Sequence, residues 1–359
     1  MKNKTTTKIV FLVPYPFAEA PSQRFRFEQY FCFLESNSVD YKVFSFYSIE
    51  LWRQLYSGGN QLSKLFGLMW AFLKRPWHVL KCFSADFVFL HRELLPVGPP
   101  ILEWFLTKIM RKKVIYDFDD AIWLTDEPSR LTNRLRCFWK VKYICRWAYK
   151  VSCGNEYLAN YASKWNSQVI VNPTTIDTTY HVPSFHEVSS DGVLRIGWTG
   201  SHSTLKYLNQ VIPVFKKFED RIHLTVICNH NPEYDLKHFL FVPWSKENEI
   251  TALTKFDVGV MPLPDDLWAN GKCGFKALQY MAIQKPVILS PVGVNKKIIL
   301  EGLTGFFANN QNEWEKAIEK VLGLPKERLA IMGESGRNYV LENYSVQSNQ
   351  FNFLALFDL

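Results

Sequence analysis

Three carboxylates crowd into four positions of the segment Tyr116-Asp-Phe-Asp-Asp-Ala121. Asp117, Asp119 and Asp120 repel one another unless water or a ligand compensates them. Such a cluster at a strand end either orients a substrate hydroxyl and takes up its proton, or is a charged loop whose aspartate caps the next turn. Upstream, Pro21-Ser-Gln-Arg-Phe-Arg26 sets Arg24 and Arg26 just beyond the first apolar run. Guanidinium groups there suit a phosphate or a carboxylate. In the second half, Ile196-Gly-Trp-Thr-Gly-Ser-His-Ser-Thr204 carries Gly197 and Gly200, which admit close backbone approach, then Ser201, Ser203 and Thr204, which cap helices. The free N–H groups of a helix start would hold a phosphate; the alternative is a capped turn with no ligand. Further on, Asp265-Asp-Leu-Trp-Ala-Asn-Gly-Lys-Cys-Gly-Phe-Lys276 places Lys272 between Gly271 and Gly274, ahead of a helix at Ala277–Ile283. A cation there opposes the helix dipole and calls for an anion, which a diphosphate supplies.

These residues need elements to carry them. In the first half, short apolar runs predict strands at Lys8–Val13, Tyr41–Phe46, Asp86–Leu90, Lys113–Tyr116, Val151–Cys153 and Gln168–Val171. They lack strict alternation, as strands covered on both faces of a parallel sheet do. Helices are expected between them at Ser22–Glu35, Asn60–Lys74, Pro99–Met110, Arg130–Trp147 and Asn155–Lys164. His181–Gly192, with its Pro, Ser, Asp and Gly, reads as a linker. The pattern then restarts, with strands at Leu194–Trp198, His223–Ile227, Phe239–Val242, Val258–Met261, Pro286–Leu289 and Gly305–Phe307. Helices fall between these strands and again at Glu313–Leu322 and Lys326–Asn343. Alternation on both sides of a linker predicts an α/β protein of two doubly wound domains facing a cleft, with ligand beyond the strand carboxyl ends.

Composition narrows the class. The chain has 359 residues, 47% hydrophobic and 21% charged, which suits two packed domains and excludes disorder. Seven cysteines form no CxxC pair, against a zinc module and against a secreted disulfide framework. The apolar run Ile9–Val13 is short for a signal peptide, and Leu65–Leu73 is far short of a membrane span, so a cytoplasmic protein is expected. No GxGxxG follows either first strand and no GxxxxGK[ST] occurs, which excludes dinucleotide oxidoreductases and P-loop NTPases. The net charge of +8 is uneven: residues 1–180 hold 24 Lys+Arg against 15 Asp+Glu, and residues 181–359 hold 18 against 19. Residues 51–85 and 128–155 contain no acid, and their cations are interleaved with Trp52, Trp70, Trp77 and other aromatics. That composition suits an anionic membrane surface, the alternative being a solvated helix face with its aromatics turned to the core. No helix-turn-helix, zinc-finger or RNP signature points to nucleic acid.

A family resemblance gathers these motifs. Phe256-Asp-Val-Gly-Val-Met-Pro-Leu263, Ala277-Leu-Gln-Tyr-Met-Ala282 and Lys285-Pro-Val-Ile-Leu-Ser-Pro-Val-Gly293 are similar to the donor-binding stretch of the retaining glycosyltransferases of family 4. Gly302-Leu-Thr-Gly-Phe-Phe307, Glu313-Trp314 and Asn343-Tyr-Ser345 continue it in order, and Gly154-Asn-Glu-Tyr-Leu158 and Val169-Ile-Val-Asn-Pro-Thr-Thr-Ile-Asp177 precede it. The resemblance implies the GT-B fold of two Rossmann-like domains. Residues 1–185 would bind the acceptor, 186–344 the nucleotide-sugar donor, and 345–359 would form a helix crossing back to the first domain.

The resemblance also implies roles. Aligning Gly274 and Phe275 with the family's Gly-Phe/Leu turn puts Gly271 and Gln279 where the family carries two glutamates. Gln279 would then hold the donor ribose, with Lys272 and Lys276 on its anionic part. Trp198 stands where the family has an arginine, so Gly200, Ser201, His202 and Lys206 are the local substitutes around the diphosphate. Trp244 lies where the nucleobase is contacted; the other reading is a loop-packing indole. Gln284 replaces a common glycine in the turn before Pro286. In the first domain Asp117, Asp119 and Asp120 would serve the acceptor hydroxyl as catalytic groups, and Arg24 and Arg26 would bind an acidic acceptor. The implied reaction is sugar transfer, with retention, from a UDP or GDP sugar to a glycan or lipid-linked acceptor in polysaccharide or glycolipid synthesis. No cofactor or metal is expected, and the departing diphosphate itself deprotonates the acceptor. The place implied is the cytoplasm, at the inner face of the plasma membrane. The alternative is a catalytically silent GT-B protein that binds a nucleotide sugar or a protein partner.

Overall fold

The computed structural model describes residues 6–56, 60–125, 130–183 and 192–359; residues 184–191 of the expected linker lie outside them. The chain divides into two compact units, residues 1–174 with 349–359, and residues 175–348.

The first unit is built on six parallel strands: β1 (Lys8–Val13), β2 (Asp40–Ser45), β3 (Phe87–His91), β4 (Lys113–Phe118), β5 (Lys150–Cys153) and β6 (Val169–Val171). Their order is β2-β1-β3-β4-β5-β6, so the chain reverses its direction of travel between β1 and β3. β3 is buried at every position, which explains its unbroken apolar run, while the edge strand β2 is exposed at Asp40 and Lys42. Phe11, Phe27, Phe31 and Phe89 pack ring against ring at the centre of this unit. The C-terminal segment joins the same cluster: Phe353 stacks on Tyr30 at 4.4 Å, and Phe357 meets Phe11 and Phe87. Asp358 adds ion pairs to Lys113 and Lys150.

The second unit holds β7 (Leu194–Thr199), β8 (Ile222–Cys228), β9 (Phe239–Pro243), β10 (Val258–Met261), β11 (Val287–Leu289) and β12 (Gly305–Phe307). They are again parallel, in the order β12-β11-β10-β7-β8-β9, with the reversal between β7 and β10. Its core joins Ile196, Trp198, Val226, Val258 and Ile288 of the sheet to Trp314 and Ile318 of the helix Gln311–Gly323. That helix starts at Asn310, whose carboxamide oxygen accepts from the Glu313 N–H, while Glu313 accepts from the Asn310 side chain.

The helices depart from expectation more than the strands. The stretch expected as one helix at Ser22–Glu35 breaks into Pro21–Arg24, a 3-10 turn at Glu28–Tyr30 and Phe31–Ser36. Gln23 and Glu28 turn inward to hold the N–H groups of Tyr15 and Ala18, and no straight helix lets both reach. The helix expected to end at Lys74 runs over Gln61–Leu80, through Pro76. Arg75 and Val79 are buried beneath it and keep the last turn docked. The stretch Arg130–Trp147 splits into Arg130–Arg136 and Lys140–Trp147 around Cys137, which sits at φ 52°.

Candidate functional site

In an open doubly wound sheet, ligands bind beyond the carboxyl ends of the strands, at the point where strand order reverses. In the second unit that point lies beyond β7 and β10. β7 ends at Thr199, whose N–H donates to the buried Tyr280 hydroxyl at 2.9 Å. Gly200 follows, and a Cβ there would fall 2.5 Å from the Trp198 ring and 2.7 Å from the Thr204 hydroxyl. The glycine is therefore demanded by the buried Trp198 indole. Ser201, His202 and Lys206 are exposed beyond it, and the His202 N–H donates to Asn229 beyond β8 at 2.9 Å. The expected phosphate-holding helix is replaced here by a 3-10 turn, His202–Thr204, and the short helix Leu205–Leu208. Its dipole is too small to act as an anion site by itself.

The loop after β10 is stiffer. Asp266 accepts from the Ala269 N–H, Asp265 accepts from the Asn270 side-chain amide, and the Asn270 side-chain oxygen Oδ1 accepts from the Gly293 N–H at 3.1 Å. The loop delivers Gly274 as the N-cap of the helix Phe275–Ala282, at φ 70°. A Cβ there would lie 1.8 Å from Ile298, so conformation and packing both require glycine. Lys272 precedes the cap, its ammonium 5.3 Å from the centre of the Trp268 ring. That contact is the local role which sequence reading did not find for it. Lys276, in the first turn of the helix, lies 5.5 Å over Trp198, the buried penultimate residue of β7. The half-buried Lys276 and the exposed Ser201 and His202 thus stand on the loops that leave β10 and β7. Trp244, at the end of β9, is half-buried, and its N–H donates to the Cys228 carbonyl.

Gln279 requires correction as an open ribose contact. It is 1% exposed, and its carboxamide N–H groups donate to Glu249 at 3.2 Å and to His181 Nε2 at 3.4 Å. His181 Nδ1–H donates in turn to the Asp177 carbonyl, which leaves Nε2 as the acceptor that Gln279 needs. Glu249, buried at the start of the helix Glu249–Leu253, brings a carboxylate beside the position where an acid was expected. Spacing could not reveal it, because it arrives from another element.

The first unit corrects two more expectations. Asp117 is fully buried, not a solvated or ligand-facing carboxylate. It accepts from Arg26, from Ser152 at 2.6 Å and from His91 Nδ1–H at 2.8 Å. Burial alone would raise its pKa, but the Arg26 charge and the His91 hydrogen bond hold it well below the usual carboxylate range. Arg26, 1% exposed, also donates to the Asn172 carbonyl, so it is a buried strut and not an acceptor-binding arm. Together these residues tie the carboxyl ends of β3, β4, β5 and β6. Arg24 lies with its guanidinium 4.9 Å from the Phe25 ring and is 9% exposed.

Asp119 and Asp120 remain at the rim, partly exposed. A single guanidinium serves both: Arg92 donates to Asp119 at 2.8 and 3.1 Å and to Asp120 at 2.9 Å. Arg92 sits at φ 61°, directly after the last residue of β3, which turns it toward the aspartates. Its guanidinium, half-buried, is held charged by Asp119, Tyr15 and Asp120. Neither Arg92 nor His91 carried a sequence signal. Among the described residues no group of three or more His, Cys, Asp or Glu is arranged to hold a metal ion.

Comparison with known proteins bears on the fold. Residues 193–324 match the family model described as glycosyl transferases group 1. No curated protein matches the sequence. Among solved structures, sucrose-phosphate synthase from Thermosynechococcus elongatus is similar over 98% of each chain, at 13% identity and a TM-score of 0.72. A glycosyltransferase from Rickettsia africae is similar over 98% of each chain, at 13% identity and a TM-score of 0.68. HepE from Anabaena, in complex with UDP-glucose, is similar over 98% of this chain and 100% of its own, at 14% identity and a TM-score of 0.65. The chain thus has the GT-B fold of two Rossmann-like α/β domains, and its resemblance to the group 1 glycosyl transferases holds, carried by residues 193–324.

Proposed function

We propose that the protein is a retaining glycosyltransferase that moves a sugar from a nucleoside diphosphate sugar, of the uridine or guanosine type, to a hydroxyl of a glycan or lipid-linked acceptor. The reaction belongs to the synthesis of a surface polysaccharide or glycolipid and runs in the cytoplasm, next to the membrane. The observation that carries this reading is the carboxyl edge of the second sheet. There the Gly200 turn, the glycine-capped helix start at Gly274 and Phe275, and two lysines stand on the loops after β7 and β10. The Anabaena protein's complex with UDP-glucose supports a uridine donor.

In this reaction the bond from the anomeric carbon to the diphosphate oxygen breaks, and the acceptor oxygen bonds that carbon from the same face. The acceptor proton passes to the departing diphosphate. Lys272 and Lys276 neutralise the charge that grows there, Ser201, His202 and Lys206 line its path, and Trp244 stacks on the nucleobase. Gln279 positions the helix through Glu249 and His181 and does not itself touch the ribose. The first domain takes the acceptor, with Asp119 and Asp120 orienting its hydroxyl and Arg24 drawing an acidic group.

A second reading, a GT-B protein that binds a nucleotide sugar without turnover, draws on Gly271, which offers no side chain where the family has an acid. A panel of nucleotide sugars, with and without hydroxyl acceptors, separates the two. Release of nucleoside diphosphate from at least one donor, and a product of unchanged anomeric configuration by NMR, is the expected result. Affinity without release for every donor favours the second reading.

A further inference from the structure

The helix Gln61–Leu80 presents a face that nothing in the described structure covers. Leu62, Leu65, Phe66, Met69, Trp70, Leu73, Trp77 and Leu80 are between 47% and 65% exposed, and Phe83 beyond the helix is 73% exposed. At 3.6 residues per turn the eight helical positions fall within an arc of about 140°, a single stripe about 30 Å long. The opposite face docks the helix on its own domain through Ala71, Arg75 and Val79. Arg75 fixes that orientation, donating to the carbonyls of Val13, Phe44 and Leu94. The stripe therefore cannot roll inward without stripping a buried guanidinium of its acceptors.

We propose that this stripe seats the protein on the surface of an anionic lipid bilayer, the helix lying in the interfacial plane. Charge decides the occupant. Lys74 and Lys81 are exposed along one flank of the stripe, with their ammonium groups over the rings of Trp70 and Trp77 at 5.8 and 4.8 Å. No Asp or Glu occurs from residue 51 to 85, though Glu50, just before that stretch, lies within electrostatic reach of Lys74 and offsets part of its charge. Indoles at an apolar boundary with cations beside them match the headgroup level of a bilayer, where Trp is favoured and phosphate is the counter-charge. A protein partner would need acids and pockets shaped to each ring, whereas a bilayer accepts a plain stripe of Leu, Phe and Trp. No described helix is long and apolar enough to cross a membrane, so the helix lies on the surface and does not span it. The inference stands on this surface alone and does not depend on sugar transfer.

The test uses the full chain and extruded vesicles of phosphatidylcholine, alone or mixed with an equal part of phosphatidylglycerol, in a cosedimentation assay. Wild type is expected to bind the mixed vesicles far better than the neutral ones, with binding that weakens as salt rises. Trp70→Ser/Leu73→Ser/Trp77→Ser should weaken binding at least about tenfold, and each of Lys74→Gln and Lys81→Gln about fivefold. All five side chains are exposed, so melting temperatures should stay at the wild-type value and separate lost docking from lost folding. Equal binding to both vesicles, no binding to either, or triple-variant binding at the wild-type level would overturn the proposal. So would a wild-type dimer in sedimentation velocity that the triple variant dissolves, with no vesicle binding by either.

Discussion

Asp117→Asn distinguishes a buried strut from a catalytic base. The substitution keeps the shape of the side chain and removes its charge. Arg26, 1% exposed, is then left as a buried cation without its carboxylate. The amide also cannot serve all three donors that now converge on Asp117, because one of its two terminal atoms carries hydrogens of its own. Breaking a buried ion pair from one side costs about 3–5 kcal/mol. In a domain of this size about 1 kcal/mol corresponds to roughly 2–4 °C, so the melting temperature of the first unit should fall by about 6–20 °C. Differential scanning calorimetry of wild type and variant reads this directly. Removing both charges, as Arg26→Met/Asp117→Leu, should cost less than the sum of the single changes, because no lone charge stays buried. The pH dependence follows from sign. A carboxylate whose folded pKa is depressed contributes stability above its unfolded value of about 4 and loses it as pH falls below that. Wild type should therefore lose stability in that acid range more steeply than Asp117→Asn. A variant that melts within about 1 °C of wild type, yet has lost all transfer activity, would refute the structural reading and restore Asp117 as a catalytic group.

Two further substitutions test the geometry of the second unit. Gln279→Glu, conservative by family resemblance, would set a second buried carboxylate about 3.2 Å from Glu249. It should destabilise by about 1–3 kcal/mol in urea denaturation, and an unchanged midpoint would contradict the described network. Gln284 sits at φ 61° in the turn before Pro286, so Gln284→Gly should stabilise by about 0.5–1 kcal/mol, and a loss of stability would deny that backbone strain.

The strands were legible because burial on both faces forces a continuous apolar run, as at Ile9–Val13 and Val258–Met261. The helices were less so. Between Pro21 and Ser36 the apolar spacing is helical, but the inward reach of Gln23 and Glu28 is a tertiary demand that no local pattern carries. The same limit governs the site. Lys272 and Gly274 stood out because a cation and a glycine at a helix start are locally unusual. Asp117 stood out for the opposite reason: its charge looked unpaid until Arg26, His91 and Ser152 came together from three separate elements. Glu249 and Arg92 were invisible because each is ordinary in its own stretch and acquires meaning only from the residue it meets.

The central claim is that the carboxyl edge of the second sheet binds a donor diphosphate and that the chain turns it over. The most direct measurement is the rate of nucleoside diphosphate release by wild type and Lys276→Ala, side by side, with the donor that a panel identifies. A charge-assisted contact to phosphate contributes about 1.5–3 kcal/mol, so kcat/KM should fall roughly ten- to a hundredfold while the melting temperature is kept. Lys276→Ala turning over at the wild-type rate, or a wild type that binds donors and releases nothing, would contradict the account.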